Sequence, residues 1–176
     1  MIIDYRQLER DEIPLFTHID RTEFVSQIYE HKNGRLYKKK VDYEVPEWTA
    51  EQKEKFVQSI KALFDRGGIV MGAFDDGLLV GMATLDSRMM GSDGKQMNLN
   101  GLWVSHNYRR QGIAGTLINL IIDHAHKFGA TSLYVSATES INTVTFYQNN
   151  GFLLAEQVDE ILFEKEPKDI HLVKSI

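Results

Sequence analysis

The apolar residues Leu99, Leu102, Trp103 and Val104 lead into a short basic turn, Arg109, Arg110, Gln111 and Gly112. Leu117, Ile118, Ile121, Ile122 and Ala125 then recur at helical spacing. A strand of this kind, running through a turn of small residues into an amphipathic helix, commits the chain to an α/β arrangement. Gly112, Ala114 and Gly115 let a phosphate group come close to the backbone. The first amides of a helix have no partners inside it and point at whatever lies beyond the N-terminus. The positive end of the helix dipole and the guanidinium groups of Arg109 and Arg110 add to the attraction. The stretch reads as a cradle for a diphosphate.

Two common phosphate loops do not fit it. A Walker A loop needs a lysine before its hydroxyl residue, whereas Gly115 precedes Thr116. A Rossmann fingerprint needs three ordered glycines and an acidic residue closing the next strand. Here Gly112 and Gly115 stand alone, and the next strand, Ser132 to Ala137, runs into Thr138. Arg109, Gly112 and Ala114, preceded by Leu102, Trp103, Val104, Ser105 and Tyr108, instead resemble the acetyl-CoA signature of the GNAT N-acetyltransferases, Arg/Gln-x-x-Gly-x-Gly/Ala. The resemblance implies that acetyl-CoA is the co-substrate. Its phosphates would be held by Arg109, Arg110, Gln111, Gly112, Ile113, Ala114, Gly115 and Thr116, and its pantetheine arm by the strand at Leu102, Trp103 and Val104.

The segment from Ser136 to Phe152 resembles the later motif of the same family, a small helix ending in Phe-Tyr and followed by a Gly-Phe turn. The family's usual asparagine falls on Ser140 here, and Asn142 follows two residues later. The resemblance carries the pantetheine contact to Asn142, the neighbouring cofactor wall to Phe146 and the general acid to Tyr147. Together the two motifs span Leu99 to Phe152.

Acetyl transfer from a thioester to an amine makes definite demands. The amine must lose a proton before it can attack, the thioester oxygen needs donors, and the departing sulfur benefits from a proton. A phenol is protonated at neutral pH and can donate, which suits Tyr147. Many relatives use a glutamate on the central strand as base, but here that strand carries Asn98 and Asn100, neither of which accepts a proton. Glu23 is the candidate base, in a segment where this fold builds its acceptor wall; Asp20, Asp86 and His106 are alternatives. A carboxylate acting through a water would also serve.

The remaining sequence bounds the reading. Its 176 residues, 43% hydrophobic and 26% charged, suit one domain over 1–176 with a sizeable core. A net charge of -5 argues against nucleic acid as a partner and is compatible with a cationic substrate. The absence of cysteine excludes disulfides, thiolate–metal sites and an acyl-cysteine intermediate, leaving direct attack in a ternary complex. His124 and His126 fall on different helix faces, so no metal site is expected. No Gly-x-Ser-x-Gly elbow is present, so a serine-hydrolase reading is excluded. The start Met1-Ile2-Ile3-Asp4 does not read as a signal peptide and no run is long enough to span a membrane, so a cytoplasmic protein is expected.

In chain order, Ile2 to Leu8 reads as an edge strand and Asp11 to Pro14 as a helix start. Asn33-Gly34 turns a hairpin between Phe24–His31 and Arg35–Val41, with Lys38, Lys39 and Lys40 as a solvated run. Thr49 and Gln52 form a capping box for a helix carrying Phe56, Ile60, Leu63 and Phe64. Asp76-Gly77 turns a second hairpin, Ser87 to Lys95 reads as a loop, and Gly151–Leu154 and Asp169–Val173 read as strands, His171 on the exposed side of the last. The expected fold is α/β, a GNAT fold with a central mixed, mostly antiparallel sheet flanked by helices and an extra N-terminal hairpin. The expected partner is a small-molecule or peptide amine, with a homodimer open. The rival readings are a non-catalytic acyl-CoA sensor and the same chemistry with a longer acyl donor.

Overall fold

The computed structural model describes residues 2–176; Met1, part of the amino-terminal reading, lies outside the described residues. The chain runs β1 (Ile3–Gln7), a 3-10 helix (Arg10–His18), β2 (Glu23–Lys32), β3 (Arg35–Val45), α1 (Ala50–Asp65), β4 (Ile69–Asp75), β5 (Leu78–Met90) and β6 (Gln96–Val104). It continues through a 3-10 turn (His106–Tyr108), α2 (Ile113–Lys127), β7 (Ser132–Ala137), α3 (Ile141–Asn149), β8 (Leu153–Leu154), α4 (Glu160–Lys165) and β9 (Ile170–Ser175). Seven strands make one sheet in the order β1-β4-β5-β6-β7-β9-β8, and β2 pairs with β3 as a separate hairpin. Within the sheet only β6 and β7 run parallel. This is the mixed, mostly antiparallel sheet expected from the sequence.

Alternation along the strands divides the core between two faces. Met71, Ala73 and Ala83 meet Ile113, Leu117, Ile118 and Ile121 of α2 on one side. Val70 and Met82 meet Val57, Ile60 and Leu63 of α1, with Ile13 and Phe16 of the 3-10 helix, on the other. The Thr49–Gln52 capping box forms as expected: Gln52 N donates to Thr49 Oγ1 at 3.2 Å and Thr49 N to Gln52 Oε1 at 3.0 Å. Both hairpin turns place two residues at positive φ, Asn33 and Gly34 at 50° and 73°, Asp76 and Gly77 at 46° and 82°. That backbone matches the twist of the strands it joins. No helix of the described residues is long and apolar enough to cross a membrane.

Three expectations need correction. Ser87 to Lys95 is not all loop: β5 continues to Met90, pairing Met89 with Met97 and Met90 with Gln96, after register shifts that break the alternation read from sequence. His171 is buried, because β9 lies between β7 and β8 and is covered on both faces rather than forming an edge. The strand expected over Gly151–Leu154 shrinks to Leu153–Leu154. The sequence reading also omitted α4, which Asp159 caps by accepting Leu162 N at 3.0 Å.

One feature of the sheet sets up the site. The β6–β7 ladder pairs only Gln96 with Ser132, Met97 with Leu133 and Asn98 with Tyr134. Beyond Asn98 the two strands part, while β6 keeps pairing with β5 as far as Val104. The second edge of β6 is therefore open to an extended, amide-bearing ligand. The β2–β3 hairpin leans over the far bank of this opening: Tyr29 N donates to Glu139 O at 2.8 Å, and Ile28 pairs with Ser140.

Candidate active site

The turn after β6 delivers α2 to the opening. Arg110 and Gly112 both adopt positive φ, 61° and 83°. Such a conformation comes at no steric cost for glycine and explains why Gly112 stands there. A Cβ on Gly112 would meet no atom within 4 Å, so the space in front of the helix is open. Thr116 N bonds back to Gly112 O at 3.1 Å. The amides of Ile113, Ala114 and Gly115 precede the first turn's bonds and remain available as donors. Side chain and backbone roles divide here, since the Ile113 side chain is buried in the core. Thr116 Oγ1 donates to Gly112 O at 3.3 Å and Gln111 Nε2 to Asn107 O at 3.1 Å, so both brace the turn.

The two arginines part company. Arg109 donates from Nε to Val104 O at 3.0 Å, from Nη1 to Thr22 O at 3.1 Å and from Nη2 to Arg21 O at 3.0 Å. Three of its five N–H donors tie the loop before β2 to the end of β6, a bracing role that the phosphate-clamp expectation did not include. Arg110, two residues before Gly112, is exposed. Trp103 also departs from a direct side-chain contact. Its ring lies edge-on to Phe16 at 5.0 Å and to Phe56 at 6.0 Å, on the α1 face. Only its backbone borders the opening, whereas Leu102, Val104 and Phe146 pack toward the α2 side.

Tyr147 is 5% exposed, set edge-on between Phe146 at 5.3 Å and Phe152 at 5.2 Å. Burial, with the charge of Asp169 beyond it, pushes the phenol well above its ordinary range. Its proton is therefore held firmly and the phenol is neutral at physiological pH.

Glu23, Asn142 and Arg109, far apart in sequence, come together. Asn142 Nδ2 donates to Glu23 Oε1 at 3.1 Å, and Arg109 Nη1 stands 3.8 Å from Glu23 Oε2. With both carboxylate oxygens engaged, Glu23 is placed as a strut between the hairpin, the α2 turn and α3, and Asn142 faces it. The other base candidates are engaged too. Asp20 accepts Thr22 N at 2.8 Å and is held below its ordinary range by the Thr22 hydrogen bonds. Burial favours the neutral form of Asp86, but the Arg66 guanidinium, at 2.8 and 3.2 Å, and the Arg88 amide and charge together outweigh it and hold the carboxyl low. His106 Nδ1 lies 2.7 Å from Thr22 O.

Sequence reasoning missed Asp169. It sits half-buried at the start of β9, where Ser136 Oγ of β7 donates to its Oδ2 at 2.8 Å. Burial pushes its pKa up to about 6; Glu166 and Glu139 add to the rise and Ser136 opposes it. Nothing in the charged run Lys165 to Asp169 distinguishes this aspartate from its solvated neighbours. Asn98 Oδ1 and Thr84 Oγ1 are buried without a partner. Among the described residues no group of three or more His, Asp or Glu side chains is placed to hold a metal ion.

A strand pair that parts beside the unpaired amides of a helix defines an acyl-CoA-binding α/β protein: open edge for the pantetheine arm, helix mouth for the diphosphate. The sequence matches the Acetyltransferase (GNAT) family over residues 26–152, and the chain belongs to that family. It is an acyltransferase of the N-acetyltransferase class, with acetyl-CoA as co-substrate. No curated protein matches it by sequence. Among solved structures, nourseothricin acetyltransferase superposes with a TM-score of 0.75 at 16% identity, covering 99% of each chain. A Bacillus anthracis protein described as a streptothricin acetyltransferase, solved with acetyl coenzyme A, also gives 0.75 at 16% identity, over 100% of this chain and 99% of its own. The PaiA N-acetyltransferase of Thermoplasma acidophilum, solved with coenzyme A, gives 0.65 at 17% identity over 100% of both.

Proposed function

We propose that this chain, as one catalytic domain over 1–176, moves the acetyl group of acetyl-CoA to a cationic primary amine by direct attack in a ternary complex. The observation that carries this is the parting of β6 from β7 next to the free amides of α2. Acetyl-CoA supplies an activated acetyl thioester. The amides of Ile113, Ala114 and Gly115, with Arg110, would hold its phosphates, while the open backbone of Leu102 to Val104 would fix the pantetheine arm. Tyr147 Oη would give its proton to the departing sulfur.

Acidic groups around the opening favour a positively charged acceptor. Glu23 and Glu139 both act on the exposed phenol of Tyr43 in β3, and Asp169 and Glu166 stand on the β9 side. A cationic amine would be drawn to that surface. Two structural neighbours carry the names of streptothricin and nourseothricin acetyltransferases, which supports placing such cationic compounds first in the panel. A cytoplasmic location belongs to the same reading.

The test is thiol release from acetyl-CoA over streptothricin-class compounds, polyamines, amino acids and peptide N-termini, with product mass read by mass spectrometry. Acetylation of at least one cationic amine is expected. Tight acetyl-CoA binding without transfer to any of them would favour the sensor reading, and a preference for longer acyl donors would shift the donor rather than the chemistry.

A further inference from the structure

The geometry points to Asp169 as the group that takes the proton from the incoming amine. This rests on the acetyl-transfer reading above and supplies the base that the central strand lacks.

Three placements carry it. Asn98 is the last residue of β6 to pair with β7, opposite Tyr134. Ser136, two residues further along β7 and on the same face, therefore flanks the opening rather than a paired strand. Ser136 Oγ donates to Asp169 Oδ2 at 2.8 Å, which fixes the carboxylate on that flank and leaves Oδ1 for another partner. Tyr147 of α3 feels the charge of Asp169. Asp169 would serve the nitrogen and Tyr147 the sulfur.

The surroundings also suit the task. Among the described residues no cation pairs with Asp169, unlike Glu23 and Asp86. Glu139, following β7, and Glu166, following α4, face it with like charge, and Tyr147 faces it from α3. Burial among these groups raises its affinity for a proton to where a carboxylate is still ionised at neutral pH but accepts readily. Two residues further along the same face of β9, His171 is 3% exposed. Its Nδ1 lies 2.6 Å from Tyr134 Oη, and its Nε2 has no partner.

The step balances. An ammonium gives one proton to Asp169 Oδ1, directly or through one water, and becomes a free amine. Its lone pair forms the C–N bond to the acetyl carbon as the C–S bond breaks. The sulfur leaves with that electron pair and takes the Tyr147 proton. The second nitrogen proton returns to the Tyr147 oxygen, and Asp169 releases its proton to water, leaving an amide, the free thiol and one proton in solution.

The experiment compares wild type, Asp169→Asn and Ser136→Ala with the best amine found in the panel, measuring kcat/KM against pH and acetyl-CoA Kd by calorimetry. Asp169→Asn should lower kcat at least a hundredfold, erase the acid limb near pH 6 and leave acetyl-CoA Kd within about twofold. Ser136→Ala removes the hydrogen bond that favours the carboxylate, so it should move that limb to higher pH while keeping most of the rate at pH 9. If Asp169→Asn keeps the limb, or turns over within about threefold of wild type, Asp169 is not the base although acetyl transfer stands. If wild type itself transfers acetyl to no amine, the transfer reading fails and this assignment with it.

Discussion

Single side chains decide how this site would work, and two of them were legible at once. Tyr147 is found from its place before a Gly-Phe turn, and its burial explains how it keeps its proton. Tyr147→Phe should lower kcat about a hundredfold while leaving acetyl-CoA Kd within about twofold, as calorimetry and thiol release together would check. Gly112 is found from its spacing after Arg109, and the structure adds a backbone reason, φ of 83°. Gly112→Val would strain that conformation and push methyl groups into the space before α2. Acetyl-CoA affinity should fall at least tenfold, and unchanged affinity would count against the cradle. Arg109 was legible in identity but not in use. A sequence cannot show that its guanidinium would find three backbone carbonyls at 3.0 to 3.1 Å. Glu23 was named as a candidate base in the acceptor-wall segment, and its engagement by the Asn142 amide depends on two segments meeting in space.

Elements were easier to read than contacts, because each is set by local periodicity and capping. The α1 capping box, the two positive-φ hairpin turns and the apolar face of α2 follow from neighbouring residues alone. Thr49→Ala removes one half of the α1 cap and should cost about 1 kcal/mol of stability, read from the denaturant midpoint at unchanged m-value. Where the pattern failed, an irregularity hid it. Register shifts between Leu85 and Met89 turned the end of β5 into an apparent loop. The short α4 has no periodic face long enough to register, only its Asp159 cap.

At the scale of the whole molecule, burial of charge links function to stability. Asp169 has its folded pKa raised to about 6, above the ordinary carboxylate value of 3.8. A raised carboxylate favours the folded state fully below the unfolded pKa, and that benefit is lost as pH rises through about 6. Asp169→Asn should therefore raise Tm at pH 7 and leave it nearly unchanged relative to wild type at pH 4. A lower Tm for the variant at pH 7 would mean that the Ser136 hydrogen bond outweighs desolvation. The hairpin acts at the same scale. Its pairing with Glu139 and Ser140 brings Glu23 and Tyr43 to the opening, so strands that looked like an addition to the fold border the proposed acceptor side.

By itself the sequence determined what depends on neighbours along the chain: the strand–turn–helix cradle, the hairpins, the capped helices and, through two spaced motifs, the kind of cofactor. Only the tertiary structure decided what depends on distant residues. It parted β6 from β7 beyond Asn98, buried His171 inside the sheet, spent Arg109 on carbonyls and lodged Asp169 against Ser136. The division is physical. Backbone geometry and capping are short-range, whereas desolvation and charge pairing are set by whichever segments the fold packs around a group.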